Sequence, residues 1–275
     1  MQFGCCINVN PFVPQREEEK ASLSADDILA RSMTFLADAG YDCIEFPVRM
    51  IMNVPEERFS EYAQIVKNCR IPVRTYNGFI PQNLPVVGPQ RDIQALREYL
   101  QAACRRMKAL GGSLVVFGSG PARKIPEGYD LDRAHDELLE FLQIAGRTCL
   151  DHGITLVIEP LNTAETNVIN KVDEGTAWAQ RVQLPNVYGL ADTYHMDKMG
   201  ETVESLIPLA RQLRHVHVAD TGRKAPGCGS YDYERLRVCL EAGGYEGRIV
   251  VECHWGDFLT EAPQALAVLR KAWSD

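Results

Sequence analysis

The chain has 275 residues, of which 45% are hydrophobic and 24% are charged, so it has enough apolar material for a sizeable globular core. Its 37 acidic and 29 basic side chains give a formal charge of −8, and no run of Lys and Arg is present. An acidic chain repels a phosphate backbone, which disfavours nucleic acid as a partner. No apolar stretch approaches the roughly 20 residues that cross a bilayer, so no membrane partner is expected.

Nine cysteines are scattered along the chain without C-x-x-C spacing. In a chain of this length, such usage indicates reduced and mostly buried thiols, as in cytoplasmic proteins. The first residues also lack the basic segment and the long apolar run of a signal peptide. We therefore expect a cytoplasmic protein.

Short apolar or β-branched runs alternate eight times with longer amphipathic stretches. The predicted strands, in chain order, are 2–9, 42–47, 72–77, 113–118, 154–159, 187–192, 214–219 and 248–253. The predicted helices are 25–39, 55–69, 89–110, 131–152, 173–182, 200–212, 231–243 and 261–273. Several strands are almost continuously apolar, as expected for parallel strands covered on both faces. At the first helix, Ser24 and Asp27 have the spacing of an N-terminal capping pair.

This alternation predicts an α/β fold, a (β/α)8 TIM barrel, rather than an open doubly wound sheet. Eight strand–helix units favour closure, and no G-x-G-x-x-G follows the first strand. No Pro- or Ser-rich linker divides the chain, so we expect a single domain over residues 1–275. The strand-to-helix loops are longer and richer in functional residue types than the helix-to-strand loops. The active site is therefore expected at the C-terminal ends of the strands.

Metal-capable side chains stand at the ends of four consecutive predicted strands. They are Glu159, Asp192, His217 and Glu252. Each of them alone would more often be a helix cap or part of a structural ion pair, but a parallel barrel brings the four strand ends to one face. Oxygen-rich ligands with one imidazole suit a hard divalent ion, and we expect Mn²⁺, with Mg²⁺ or Co²⁺ as alternatives.

Alternation along the strands extends this prediction to neighbouring positions. His215 is expected to point inward beneath His217, because residues two apart lie on the same face of a strand. Glu45 ends the second predicted strand and either faces the pocket or belongs to the core. The same two alternatives hold for His254, which lies two residues after Glu252.

Three further polar positions follow the strand ends. His195, three residues after Asp192, is a substrate contact, a hydrogen-bond partner of a metal ligand, or a solvated loop residue. Arg223 could bind a substrate hydroxyl or carboxylate through its fork of donors, or lie on the surface. The basic pair Arg123-Lys124 in another front loop could hold a phosphate or simply be solvated.

The motifs around these residues resemble the xylose-isomerase-like barrel superfamily. Within it they are most similar to the D-tagatose 3-epimerase and D-psicose 3-epimerase branch. The similar stretches lie in the C-terminal half of the chain: 158–162 with Glu165 and Asn170, 192–196, 215–220 with Arg223, 226–229 and 251–252.

This resemblance implies a divalent-metal-dependent ketose isomerase or epimerase. It implies that Glu159, Asp192, His217 and Glu252 bind the metal, and that Glu159 and Glu252 also act as acid and base on opposite faces of the sugar. A proton would be removed and returned through an enediolate. The resemblance further implies substrate contacts from Glu165, His195 and Arg223, a sugar or polyol substrate, and a dimer or tetramer.

Three alternatives remain at this point. An inosose-type polyol dehydratase, a lyase, would use the same metal site, and so would a catalytically silent metal-binding or sugar-sensing protein. The endonuclease IV branch of the superfamily is disfavoured, because Gly118 stands where that branch needs a histidine and because the chain is acidic.

Overall fold

The computed structural model describes residues 1–15 and 23–274. Eight parallel strands form a closed barrel, in which each strand pairs with the next and the last pairs with the first. The strands are β1 Phe3–Cys6, β2 Cys43–Pro47, β3 Val73–Asn77, β4 Leu114–Phe117, β5 Thr155–Ile158, β6 Val187–Asp192, β7 Leu213–Val218 and β8 Arg248–Val251. The predicted single-domain (β/α)8 barrel is confirmed.

Ten α-helices are assigned within the described residues. They are α1 Ala25–Ala39, α2 Val48–Met52, α3 Glu56–Asn68, α4 Ile93–Ala109, α5 Gly120–Arg123, α6 Leu131–Asp151, α7 Val172–Val182, α8 Thr193–Met199, α9 Tyr233–Ala242 and α10 Phe258–Ala272. Short 3₁₀ turns cover Asn10–Phe12, Val203–Leu206, Ala210–Gln212 and Thr221–Arg223. No helix in the described part of the chain is both long enough and apolar enough to cross a membrane.

Capping side chains set where several of these helices begin. Ser24 and Asp27 form the predicted reciprocal capping box at the start of α1. Asp92 accepts hydrogen bonds from two backbone N–H groups at the start of α4, which therefore begins later than the predicted position 89. The helix predicted at 200–212 is wrong. Two 3₁₀ turns occupy that segment, because Pro208 has no N–H to continue an α-helical ladder.

The apolar core has two parts. Most buried side chains lie between the barrel and its outer helices, whereas Leu114, Val116, Val157 and Leu190 form a separate small cluster inside the barrel. Toward the C-terminal ends of the strands, the interior becomes polar. Buried charged groups therefore collect at one end of an otherwise apolar barrel. Because burying a charge is costly, these groups need hydrogen-bond or ionic partners there.

Candidate metal centre

The four residues predicted as metal ligands converge at the C-terminal ends of β5 to β8. Glu159, Asp192, His217 and Glu252 each offer one ligand atom, and these atoms lie within 4.8 Å of one another. His217 Nδ1 is central to the group, at 2.9 Å from Glu159 Oε1 and 3.4 Å from Glu252 Oε2. Only the Glu252 side chain is appreciably exposed, at 22%, so the group opens to solvent on the Glu252 side.

Local backbone features position two of these side chains. A register shift between Gly189 and Leu190 places Asp192 directly opposite His217 in the pairing of β6 with β7. Gly118, just after β4, leaves room for Glu159, because a Cβ at that position would overlap Glu159 Oε2. The glycine that argued against an endonuclease thus makes space for a carboxylate.

Asp192 has two distinct roles for its two oxygens. Oδ1 accepts a hydrogen bond from the Tyr194 backbone N–H at 2.8 Å and so caps α8. Oδ2 is buried and has no hydrogen-bond partner among the described residues. A buried carboxylate oxygen without a partner is costly, so this atom points to a ligand that the protein atoms do not supply.

The electrostatics of the group favour protons or a cation. Burial raises the pKa of Asp192 to about 8, and the charges of Glu159 and Glu252 add to the effect. Burial also raises the pKa of Glu159, against the opposing influence of His217. Burial alone would lower the pKa of His217, but the negative charges of Glu45 and Glu252 outweigh it and raise that pKa well above its usual value.

The donor set fits a hard divalent ion. Three carboxylates and one imidazole are the ligand types that suit such ions, and their mutual repulsion is what a +2 charge would relieve. The unpartnered Asp192 Oδ2 lies within the same group. These residues could therefore hold a metal ion, and their role as its ligands is taken up below as a proposal.

His195 lies beside this group rather than in solvent. Its Nδ1 accepts from the Asn162 backbone N–H at 3.1 Å, so in the neutral ring the proton is on Nε2. That Nε2 is 3.6 Å from Asp192 Oδ2. Burial, together with the positive charge of Arg223, lowers the pKa of His195 to about 3, so the ring is a neutral hydrogen-bond donor at physiological pH.

Arg223 and Glu165 lie at the opening of the pocket. Arg223 Nη2 donates to Glu252 Oε2 at 3.1 Å, and Nη1 is 3.8 Å from Glu165 Oε1. The Arg223 side chain is only 19% exposed and its guanidinium covers the ring of Tyr194, so it is not a free surface cation. Asp220 holds this loop by accepting from three backbone N–H groups, those of Thr221, Gly227 and Tyr231.

Arg123, Lys124 and His254 lie outside the candidate metal centre. Arg123 is fully buried, and its guanidinium donates to the carbonyls of Phe117 and Ile169, so it is not available for a phosphate. Lys124 is exposed. His254 is neither in the pocket nor in the core: its side chain is exposed and its backbone N–H donates to the Arg223 carbonyl.

Glu45 and Asn77 complete the polar interior. Glu45 is fully buried and does not open to the pocket: it lies inside the barrel between His215 and His217. Asn77 Nδ2 donates to Glu252 Oε1 at 3.0 Å and was not identified from sequence. Its place at the end of β3 could have identified it, because the proposed ligands were recognised from the same position on their own strands.

Comparison with known proteins gives the family of this fold. The family model for the xylose isomerase-like TIM barrel matches residues 33–272, and the chain belongs to that family.

Among its relatives, 3-dehydro-D-guloside 4-epimerase of Escherichia coli is 26% identical over 79% of this chain and 84% of that enzyme. D-psicose 3-epimerase of Agrobacterium fabrum is 34% identical over 37% of this chain and 36% of that enzyme. Among solved structures, D-psicose 3-epimerase from Clostridium cellulolyticum, determined with D-tagatose, superposes with a TM-score of 0.82 at 18% identity and covers both chains completely. These three proteins are epimerases, each at low identity to this chain.

Proposed function

We propose that this protein is a divalent-metal-dependent sugar isomerase or epimerase, with a ketose or a related keto sugar as substrate and Mn²⁺ as the preferred ion. The observation that carries the proposal is the convergence of Glu159 and Glu252 on His217 Nδ1 from strands β5 and β8, with Asp192 completing the group. The names of the relatives, which include 3-epimerases and a 4-epimerase, support the same class of reaction.

In the proposed reaction, the two glutamates exchange a proton with the carbon next to the substrate ketone. That proton is weakly acidic, and a positioned carboxylate that removes it typically contributes about 10²–10⁴-fold in rate. An ion held by the four ligands would stabilise the negative charge that develops on the substrate oxygens. One glutamate takes the proton and the other returns it on the opposite face, which inverts the centre. Return to the adjacent carbon would give isomerisation instead.

The neighbouring residues supply the substrate contacts in this proposal. His195 Nε2–H and the Arg223 guanidinium are donors for substrate oxygens, and Glu165 is an acceptor at the pocket opening, where its side chain is 40% exposed. Asn77 and Arg223 each hold one oxygen of Glu252, which fixes its carboxylate plane. A preorganised acid–base pair of this kind needs little rearrangement when substrate binds.

Proton exchange with solvent tests the proposal directly. The protein loaded with Mn²⁺ is incubated in D₂O with a panel of free ketoses, phosphorylated ketoses, 3-keto glycosides and inososes, and followed by proton NMR. We expect deuterium next to the ketone and an epimer or isomer that differs in mass only by that exchange. A product that has lost water and absorbs in the ultraviolet would assign a dehydratase. Metal binding without exchange on any substrate would assign a sensor.

A further inference from the structure

A carboxylate outside the four proposed ligands spans the inside of the barrel beneath them. Glu45, on β2, contacts two histidines of β7, and all three side chains are fully buried. We propose that Glu45 is a positioning residue, which holds His217 in the one tautomer and orientation that can bind the ion. This inference rests on the proposed metal site. It adds a residue that determines which nitrogen of His217 is free to bind the ion.

The hydrogen bonds of Glu45 determine that Nε2 carries a proton in the rings of both His215 and His217. Its Oε1 is 2.9 Å from His217 Nε2, and its Oε2 is 2.9 Å from His215 Nε2. An ionised carboxylate can only accept, so each ring must present an N–H at Nε2. When His217 gives up its second proton to bind an ion, the lone pair is thereby on Nδ1, the nitrogen that faces Glu159 and Glu252. Partners of this type fix ligand tautomer and ring orientation in metal sites.

The remaining contacts indicate that Glu45 is held in place for this purpose. The Cys6 thiol also donates to Glu45 Oε1, with the sulfur at 3.3 Å. His215 Nδ1 has no hydrogen-bond partner among the described residues, so the contact with Glu45 is the polar contact that this buried ring makes. Buried carboxylates are stable only when paired and hydrogen-bonded, and here donors come from β1 and β7.

The position of Glu45 also opposes a turn of the His217 ring. His215 and His217 lie two residues apart on one face of β7, and their rings meet edge to face with centroids 4.8 Å apart. Glu45 reaches both rings from β2, which is separated from β7 by β8 and β1 in the closed barrel. A flip of His217 would break the Glu45 contact and point a C–H group at the carboxylates.

The test compares Mn²⁺ affinity, measured by calorimetry, in three variants. Glu45→Leu removes the acceptor, and we expect Mn²⁺ affinity to fall by about 10–100-fold. Glu45→Gln should lose less Mn²⁺ affinity, because its amide oxygen can still accept from His217. Its amide N–H can donate to His215 once that ring carries its proton on Nδ1. Glu137→Leu is the matched control: this carboxylate on α6 also accepts from three donors, Gly88 N, Tyr129 Oη and Arg133 Nε, but lies outside the site. It should lose stability and keep wild-type affinity.

Each outcome bears on a different claim. If Glu45→Leu folds and binds Mn²⁺ as tightly as wild type does, the tautomer assignment is overturned. The same holds if Glu45→Gln loses as much Mn²⁺ affinity as Glu45→Leu. Should Glu45→Leu fail to fold, wild-type protein labelled with ¹⁵N-histidine and loaded with Zn²⁺ decides: we expect His217 bound through Nδ1 and protonated at Nε2, and the reverse assignment would refute the inference. A wild-type protein that binds no divalent ion would instead refute the proposed function.

Discussion

At the scale of single residues, Glu252 is held from three directions. Asn77 donates to one of its oxygens, while Arg223 and His217 approach the other at 3.1 and 3.4 Å. It is also the one proposed ligand with appreciable exposure, so among the four it lies nearest the solvent. This placement suits a group that both holds an ion and exchanges a proton.

Replacing Glu252 by Gln keeps the shape of the side chain and one oxygen that could bind the ion, but it removes the proposed base. Turnover should fall by about 10²–10⁴-fold, while the variant keeps its fold. The measurement is the rate of deuterium incorporation next to the ketone, with Glu246→Gln, an exposed carboxylate before β8, as the control. Full turnover in Glu252→Gln would remove this residue from the acid–base pair.

Gly118 offers a second test at the same scale. A methyl group at this position would overlap Glu159 Oε2, so Gly118→Ala must displace that carboxylate. Forced shifts of this kind cost about 1–3 kcal/mol, and we expect Mn²⁺ affinity to fall by about tenfold or more. Gly256→Ala is a matched control, because the atoms near its added Cβ belong to the end of the half-buried Glu261 side chain, outside the site. Unchanged affinity in Gly118→Ala would show that Glu159 does not need this space.

Sequence reasoning found the strand-end residues because position alone places them together in a parallel barrel. It could not decide the role of Glu45, since that role depends on two histidines of β7, 170 and 172 residues away along the chain. Arg123 could not be assigned either. Its basic side chain in a front loop looks available, yet it is fully buried against main-chain carbonyls.

At the scale of secondary-structure elements, α8 links folding to the site. Its N-cap is Asp192, so the same carboxylate ends β6, begins the helix and faces His217. Capping uses Oδ1, whereas the proposed metal binding would use Oδ2, so the two roles can be separated by mutation.

Asp192→Asn should separate them, because the amide oxygen can still cap α8 while the buried charge is gone. At pH 8 and without metal, we expect this variant to exceed wild type in unfolding free energy by about 1 kcal/mol, while its Mn²⁺ affinity falls strongly. Asp192→Ala should be less stable than Asp192→Asn by about 1 kcal/mol, the usual value of a cap. Denaturant unfolding of the metal-free proteins measures both differences. Equal stability of the two variants would mean that the cap contributes nothing.

The elements themselves were largely predictable. The strands are short, nearly continuous apolar runs between turn signals, and they occur where expected. Helices α2, α5 and α8 were missed because each is too short to show a helical period in the sequence. The helix predicted at 200–212 failed for a local reason, since one missing N–H at Pro208 outweighs the apolar pattern.

At the scale of the whole molecule, the buried carboxylates and His217 of the candidate metal centre make the stability of the protein depend on pH. Asp192, with its pKa raised to about 8, binds more protons in the folded state than in the unfolded state, and the raised pKa values of Glu159 and His217 act in the same direction. Stability of the metal-free protein should therefore decrease as pH rises from about 6.5 to about 8. Below that window His195 and His215, whose pKa values are lowered, oppose the trend.

Metal binding should reverse this dependence, because an ion needs the ligands without their protons. We expect saturating Mn²⁺ to raise the melting temperature more at about pH 8 than at about pH 6.5. Thermal unfolding with Mn²⁺, and again after chelation with EDTA, measures the difference. An equal increase at both pH values would show that the titrating groups are not the ligands.

The ring closure of the sheet has a consequence for how the protein is made. The proposed ligands span positions 159 to 252, and the last of them follows β8, the strand that joins β7 to β1. If these residues are the ligands, a growing polypeptide cannot bind an ion through all four of them until that final strand is in place. Uptake of the ion would serve as a built-in signal that the ring has shut.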